Sequence, residues 1–187
     1  GSAPPIWLEV GFGGGEHLIA QAQAHPDVGF IGCEPFLNGV TKLLAQIDDC
    51  AAAGVPVANI RIFKGDGRQL LEALPMASVG RAFLLFPDPW PKTRHHKRRF
   101  VQVDTLDQFA RVLVDDAELR IATDHSDYCR WALSHLVRHP TFNWLAEGPA
   151  DWRIRPADWP ATRYEAKAEA AGRARYYLRF LRVCRAG

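Results

Sequence analysis

Short apolar runs recur along the chain at residues 6–10, 28–34, 59–66, 79–86 and 118–124, and a helix-like stretch separates each from the next. A strand, a helix and a second strand in succession close into a parallel pair through a right-handed crossover. Repeated in this way, the pattern predicts an α/β fold with a doubly wound, mostly parallel sheet. IWLEV (6–10) stops at glycines, and a helix is expected over 15–24. VGFIGCE (28–34) leads to a helix over about 37–53 with Leu43, Leu44 and Ile47 at helical spacing, and NIRIFKGD (59–66) to a short one near 67–74. VGRAFLLF (79–86) is apolar enough for a central strand covered on both faces. FVQVDTLDQFARVL (100–113) carries apolar residues at 100, 103, 106, 109, 110 and 113, a helical stripe. ELRIATD (118–124) reads as the fifth strand, and 126–138 as a helix. RYYLRFLRVC (175–184) alternates as a late strand does, with a partner strand near 142–145. Residues 146–164 form the longest irregular stretch, and loops of that length in a compact domain usually carry function.

The 187 residues suit one domain with a full core, and 48% hydrophobic with 24% charged residues describes a globular chain rather than a disordered one. No apolar run reaches the roughly 18 residues of a membrane span. GSAPPIW lacks the basic and apolar regions of a signal peptide. Gly1 and Ser2 look like a vector-derived remnant, and the natural chain is expected to begin further upstream. Cys33, Cys50, Cys129 and Cys184 form no CxxC pair or close cluster, which fits a reduced, cytoplasmic setting and no zinc site. Net charge is only +2, so the positive charge is concentrated rather than general.

LEVGFGGGEHL (8–18) places Gly11, Gly13 and Gly15 on a strand-to-helix turn, where the backbone can approach a ligand closely. A nicotinamide dinucleotide fingerprint needs a third glycine where Glu16 stands, and a glutamate at a helix start repels a pyrophosphate. The turn therefore suits a ligand without phosphates, or is simply tight. Glu34 ends the second strand, where an acid can accept from ribose hydroxyls, and Asp66 ends the third, within reach of an adenine amino group. Glu9, Glu34, Asp66, Asp88 and Asp124 all fall at or near strand ends. Any one of them reads equally well as a helix cap. Five in register favour an acidic nucleoside pocket suited to cationic S-adenosylmethionine.

FPDPWPKTRHHKRR (86–99) turns from apolar to basic across Asp88, with five Lys/Arg between 92 and 99. A charge run is usually a solvated face, and Asp88 in P-D-P is also a plain turn residue. Here the run follows the strand end that carries Asp88, so both line one rim. The prolines stiffen that turn. Trp90 either packs beneath the loop or stacks on a base. His95 and His96 lack a third ligand, so phosphate or ribose hydrogen bonds suit them better than a metal. Arg153, Arg155 and Arg163 in the irregular stretch can frame the other side of a groove for folded RNA.

Taken together, LEVGFGGG, GCEP, KGDG, FPDPWPKTRHHKRRFVQ, ATDHSDY and TRYE resemble the bacterial tRNA (guanine-N7)-methyltransferases, within the class I S-adenosylmethionine-dependent methyltransferases. The resemblance covers nearly the whole chain. It implies a seven-stranded sheet with an antiparallel last strand and methylation of a guanine in the tRNA variable loop. It implies cofactor contacts from Glu9, Gly11, Gly13, Gly15, Glu34, Asp66 and Asp88, with Asp88 the catalytic acid. Lys92, Asp124, Thr162, Arg163, Tyr164 and Glu165 would meet the substrate. Arg94, His95, His96, Lys97, Arg98 and Arg99 would meet RNA. The chain departs from the family at His125, where tryptophan is usual, and at Leu178, where an acid is common. Family members also carry a segment ahead of the first strand that is missing here. A monomer is expected, with a homodimer as the alternative. A methyltransferase for another substrate leaves the basic rim without a role. A non-catalytic RNA-binding module leaves Asp88, Glu34 and the glycine turn without one.

Overall fold

A computed structural model describes residues 6–185 of the chain; Gly1 and Ser2 lie outside that range. The apolar runs become β1 (Ile6–Val10), β2 (Gly29–Cys33), β3 (Ile60–Phe63), β4 (Val79–Leu85) and β5 (Leu113–Thr123). Between them run α1 (Glu16–Ala24), α2 (Leu37–Ala52), α3 (Gly67–Ala73), a 3₁₀ turn (Thr93–Arg98) and α4 (Val103–Val112). After β5 come α5 (Ser126–Leu136), β6 (Phe142–Trp144), α6 (Ala150–Arg153), α7 (Arg163–Ala170) and β7 (Tyr176–Arg182). The seven strands form one sheet in the order β3-β2-β1-β4-β5-β7-β6. β1 to β5 pair in parallel, whereas β7 is antiparallel to both β5 and β6. The order reverses between β1 and β4, the position at which open α/β sheets leave a crevice beyond their strand ends.

The central strands are covered on both faces, which explains the unbroken apolar run of β4. Ala82 and Leu84 face a core with Leu106 and Phe109 of α4 and Tyr128 and Leu136 of α5. Phe83 and Leu85, one residue out of phase, face Ala122, Tyr177 and Trp159 instead. Leu18, Phe30, Val40 and Leu43 build a third cluster beneath α1 and α2.

Three elements differ from the pattern in the sequence. α4 starts at Val103 rather than 100, because Gln102 and Thr105 cap it reciprocally. β5 starts at Leu113, directly at the end of α4, and its acidic residues Asp115 and Asp116 hid that half from an apolar count. The irregular stretch contains α6 and runs into α7, whose first residue is Arg163.

The segment ahead of α7 is held by Trp159, 1% exposed, with its ring edge-on to Tyr177 at 5.6 Å. Beside it the buried Arg120 donates to Glu118 at 2.6 Å and to Asp158 at 2.8 Å. Gln21 of α1 donates to the Asp158 carbonyl at 3.0 Å. Trp159→Ala should cost about 3–5 kcal/mol of stability, read as a lower urea midpoint with an unchanged slope.

Candidate active site

After β1 the chain passes through Gly11 (φ +74°), Gly13 (φ +58°) and Gly15 (φ +87°), left-handed conformations that favour glycine. The Gly11 N–H donates to the Cys33 carbonyl at 2.7 Å, tying the turn to the end of β2. Glu16 folds back over the turn, so that a β-carbon on Gly14 would stand 2.5 Å from its carboxylate. An anion already occupies the start of α1, as expected of a site that does not take a pyrophosphate there.

Glu34 follows β2 and is 5% exposed. One carboxylate oxygen accepts from Gly13 N–H at 2.9 Å, the other from Phe36 N–H at 3.0 Å. Each oxygen keeps a lone pair for a ligand hydroxyl. α2 passes close enough that a β-carbon on Gly39 would lie 2.7 Å from Glu34 Cγ. Asp66 follows β3 and caps α3, accepting from Arg68 N–H at 2.9 Å through one oxygen. Between the two acids the Cys33 thiol donates to the Gly65 carbonyl at 3.2 Å. Burial, then the nearby Asp66 and Glu34 charges, pushes this thiol up to about 12, so it serves as packing rather than as a nucleophile.

Asp88 is exposed on the turn after β4, flanked by Phe86 (φ +50°) and Trp90 (φ +42°). Non-glycine residues in this conformation are costly and gather at functional sites. The geometry brings Gly11, Gly13, Glu34, Asp66, Asp88, Arg98, Arg163 and Tyr164 onto one cleft of about 590 Å³, a size ordinary for small-molecule sites. Lys42, Arg68, Phe86 and Trp90 also line it. Lys42 and Arg68 carry no motif that marks them in the sequence; they sit on the helices that start behind Glu34 and Asp66. Tyr164 lies against the glycine turn, 3.0 Å from where a Gly13 β-carbon would be, and stacks on Phe86 with centroids 6.3 Å apart. Arg163 approaches Glu16 at 3.4 Å.

Other expected residues stand elsewhere. Glu9 is buried and shares a 2.7 Å hydrogen bond with His17 of α1. Gly15 is buried against Leu43. Asp124, past the end of β5, accepts from Arg173 at 2.7 Å. Thr162 and Glu165 are each 8% exposed. Thr162 caps α7 by accepting from Glu165 N–H, and the Glu165 carboxylate accepts from the Tyr177 hydroxyl at 2.5 Å and forms an ion pair with Arg155 at 3.1 Å. TRYE is therefore a helix start, whose Ser/Thr-x-x-Glu spacing was visible in the sequence. Arg155 turns inward to Glu165 and the Trp159 carbonyl, while Arg153 lies over Trp152.

Along the basic run, Lys92, Arg94, Lys97 and Arg98 are exposed, and His95 and His96 are half-buried. Arg98 lies 4.9 Å over the Trp90 ring, and His95 meets that ring edge-on. His96 packs against Trp131 of α5. Arg99, expected at the RNA, is corrected by its position: it is 1% exposed and its guanidinium is engaged inside the protein. The 3₁₀ turn ends at Arg98, and the backbone of Arg99 is extended (φ −56°, ψ 139°), so its side chain leaves the face that Lys97 and Arg98 share. Among the described residues no cluster of His, Cys, Asp and Glu could hold a metal, and no helix is long and apolar enough to cross a membrane.

The sheet order, the antiparallel last strand and the glycine turn facing strand-end acids define the class: an α/β methyltransferase fold. Solved structures share it, including a 16S rRNA (adenine(1408)-N(1))-methyltransferase from Catenulisporales acidiphilia (TM-score 0.62, 16% identity, 98% of this chain and 90% of that one). A SAM-dependent O-methyltransferase from Thermotoga maritima is similar too (TM-score 0.60, 16% identity, 100% of this chain and 62% of that one). A family described as putative methyltransferase matches residues 3–178. The tRNA (guanine-N(7)-)-methyltransferase of Rhodospirillum rubrum is 58% identical over 181 residues, covering 97% of this chain and 69% of that protein. The protein of the same name from Roseobacter denitrificans is 52% identical over 178 residues, covering 95% and 74%. The chain belongs to this methyltransferase family.

The buried Arg99 pairs with Asp127 of α5, and its hydrogen bond holds that carboxyl below the usual aspartate range. A carboxyl lowered by folding adds stability above its unfolded pKa, about 3.9, and loses it as pH falls through the lowered value. Asp127→Asn should therefore melt below wild type at neutral pH, with the gap closing in acid below about pH 4.

Proposed function

We propose that the protein methylates N7 of a guanine in the variable loop of tRNA, using S-adenosylmethionine bound in the cleft. The observation that carries this reading is Asp88: an exposed carboxylate on a proline-stiffened turn, sharing a cleft with Glu34 and Asp66 and standing at the start of the exposed cations. The free lone pairs of Glu34 fit ribose hydroxyls, the unbonded oxygen of Asp66 fits an adenine amino group, and Arg163 on the cleft wall offers a partner for an amino-acid carboxylate. The glycine turn leaves room for a close ligand approach. When bound, S-adenosylmethionine supplies a methyl group carried on a sulfonium.

Guanine N7 presents its lone pair on the major-groove edge, and no proton has to leave it before the new N–C bond forms and the S–C bond breaks. Asp88 therefore needs no role as a proton acceptor. Its carboxylate accepts from the guanine N1–H and amino group, which turns N7 toward the cleft, and it faces the purine that becomes cationic. Orientation of this kind is worth up to about 7–11 kcal/mol of the barrier. Lys92, Arg94 and Lys97, exposed beside the turn, bind backbone phosphates and hold the RNA at the rim.

Methyl-tritiated S-adenosylmethionine incubated with unmodified tRNA transcripts should deliver label to tRNA at a single guanine. Label in protein or small molecules alone would overturn the reading. Replacing Lys92, Arg94 or Lys97 by alanine should each flatten the dependence of tRNA affinity on salt by about 0.7–0.9 in log K per log salt, with cofactor affinity unchanged.

A further inference from the structure

We infer that Arg99 is the positioning residue of the Pro87–Trp90 turn and thereby fixes where Asp88 stands. The inference rests on the reading of Asp88 given above. Its observations belong to the turn itself. Pro87, Pro89 and Pro91 have no backbone N–H, so the turn has lost the donors that ordinarily knit such a loop. Phe86, at its start, donates to the Ala122 carbonyl at 2.8 Å. From Pro87 to Pro91 no backbone-to-backbone hydrogen bond holds the chain among the described residues. Yet Phe86 and Trp90 on either side both keep left-handed φ angles that no glycine relieves.

Arg99 supplies the missing donors. Its Nε donates to the Pro89 carbonyl at 2.9 Å, and Nη2 reaches the Trp90 carbonyl at 3.4 Å. The same Nη2 donates to Asp127, and the guanidinium lies 4.9 Å over Trp131 and 5.7 Å over Tyr128. Trp131 is itself fixed by donating to the Val101 carbonyl at 2.7 Å. The turn is thus bolted to α5 through one planar cation that grips two successive carbonyls, the two that follow Asp88. Arg98, its neighbour, lies on the Trp90 ring in the cleft. Two adjacent arginines therefore take opposite duties, one toward the ligand side and one toward the core. A lysine keeps the charge of Arg99 but not the rigid fork that bonds both carbonyls.

The test measures single-turnover methylation of tRNA transcripts at saturating tRNA and cofactor, tRNA affinity across a salt series, and thermal melting. Arg99→Lys should lower the saturated rate tenfold or more while leaving the affinity for tRNA and its salt slope at wild-type values. A wild-type rate overturns the inference. So does a loss confined to tRNA affinity with a flatter salt slope, which is the signature of a phosphate contact. If Arg99→Lys does not fold, Asp127→Ala carries the test by releasing the guanidinium from α5. A saturated rate at least threefold lower with unchanged salt slope supports the inference, and an unchanged rate overturns it. A wild-type enzyme that labels no tRNA would overturn the functional reading instead, so the two failures are distinguishable.

Discussion

Parallel pairing of β1 to β5 decides where everything else can go. Strands that run the same way release their carboxyl ends on one side of the sheet, and helices must cover both faces to return the chain. The loops that leave β1, β2, β3 and β4 therefore gather on one edge. The glycine turn, Glu34, Asp66 and Asp88 come from positions far apart in sequence, yet they line one cleft because each is the first part of the chain free of the sheet. The reversal of strand order between β1 and β4 keeps the middle of that edge uncovered by a crossing connection.

On that edge the cleft is built from opposed demands. A ligand that approaches the backbone needs the left-handed glycines at 11 and 13. A carboxylate aimed at a substrate must be exposed, and Asp88 is; to be aimed it must also be held, and a turn with prolines at 87, 89 and 91 cannot hold itself by backbone bonds. The holding groups come from the neighbouring face: Arg99, Asp127 and Trp131, all anchored on or against α5. From the opposite face Trp159 and Arg120 secure the segment that brings Arg163 and Tyr164 over the glycine turn. Asp88 is exposed, while Arg99, Arg120 and Trp159 are buried and Asp127 and Trp131 half-buried.

Local chemistry made much of this legible in the sequence. Strand ends follow from apolar runs, so the acids behind them could be placed without knowing any contact, and Glu34, Asp66 and Asp88 do line one cleft. What depended on direction was less legible. Arg98 and Arg99 are chemically identical in a sequence, and only the end of the 3₁₀ turn between them, where the backbone becomes extended at Arg99, separates an outward side chain from a buried one. Glu9 sits one residue inside its strand, which is enough to point it at His17. The spacing of Thr162 and Glu165 is that of a helix cap, and the structure starts α7 there. The first half of β5 was hidden because Asp115 and Asp116 break its apolar run, and Asp116 adopts a left-handed conformation there.

In the proposed reaction Asp88 acts through its charge and its position, without accepting a proton. Asp88→Asn keeps the shape of the side chain and removes the charge, and single-turnover methylation of unmodified tRNA at saturating cofactor reads the chemical step directly. The rate should fall about 10²-fold or more with cofactor and tRNA affinities near wild type. An unchanged rate of methyl transfer would contradict this role of Asp88.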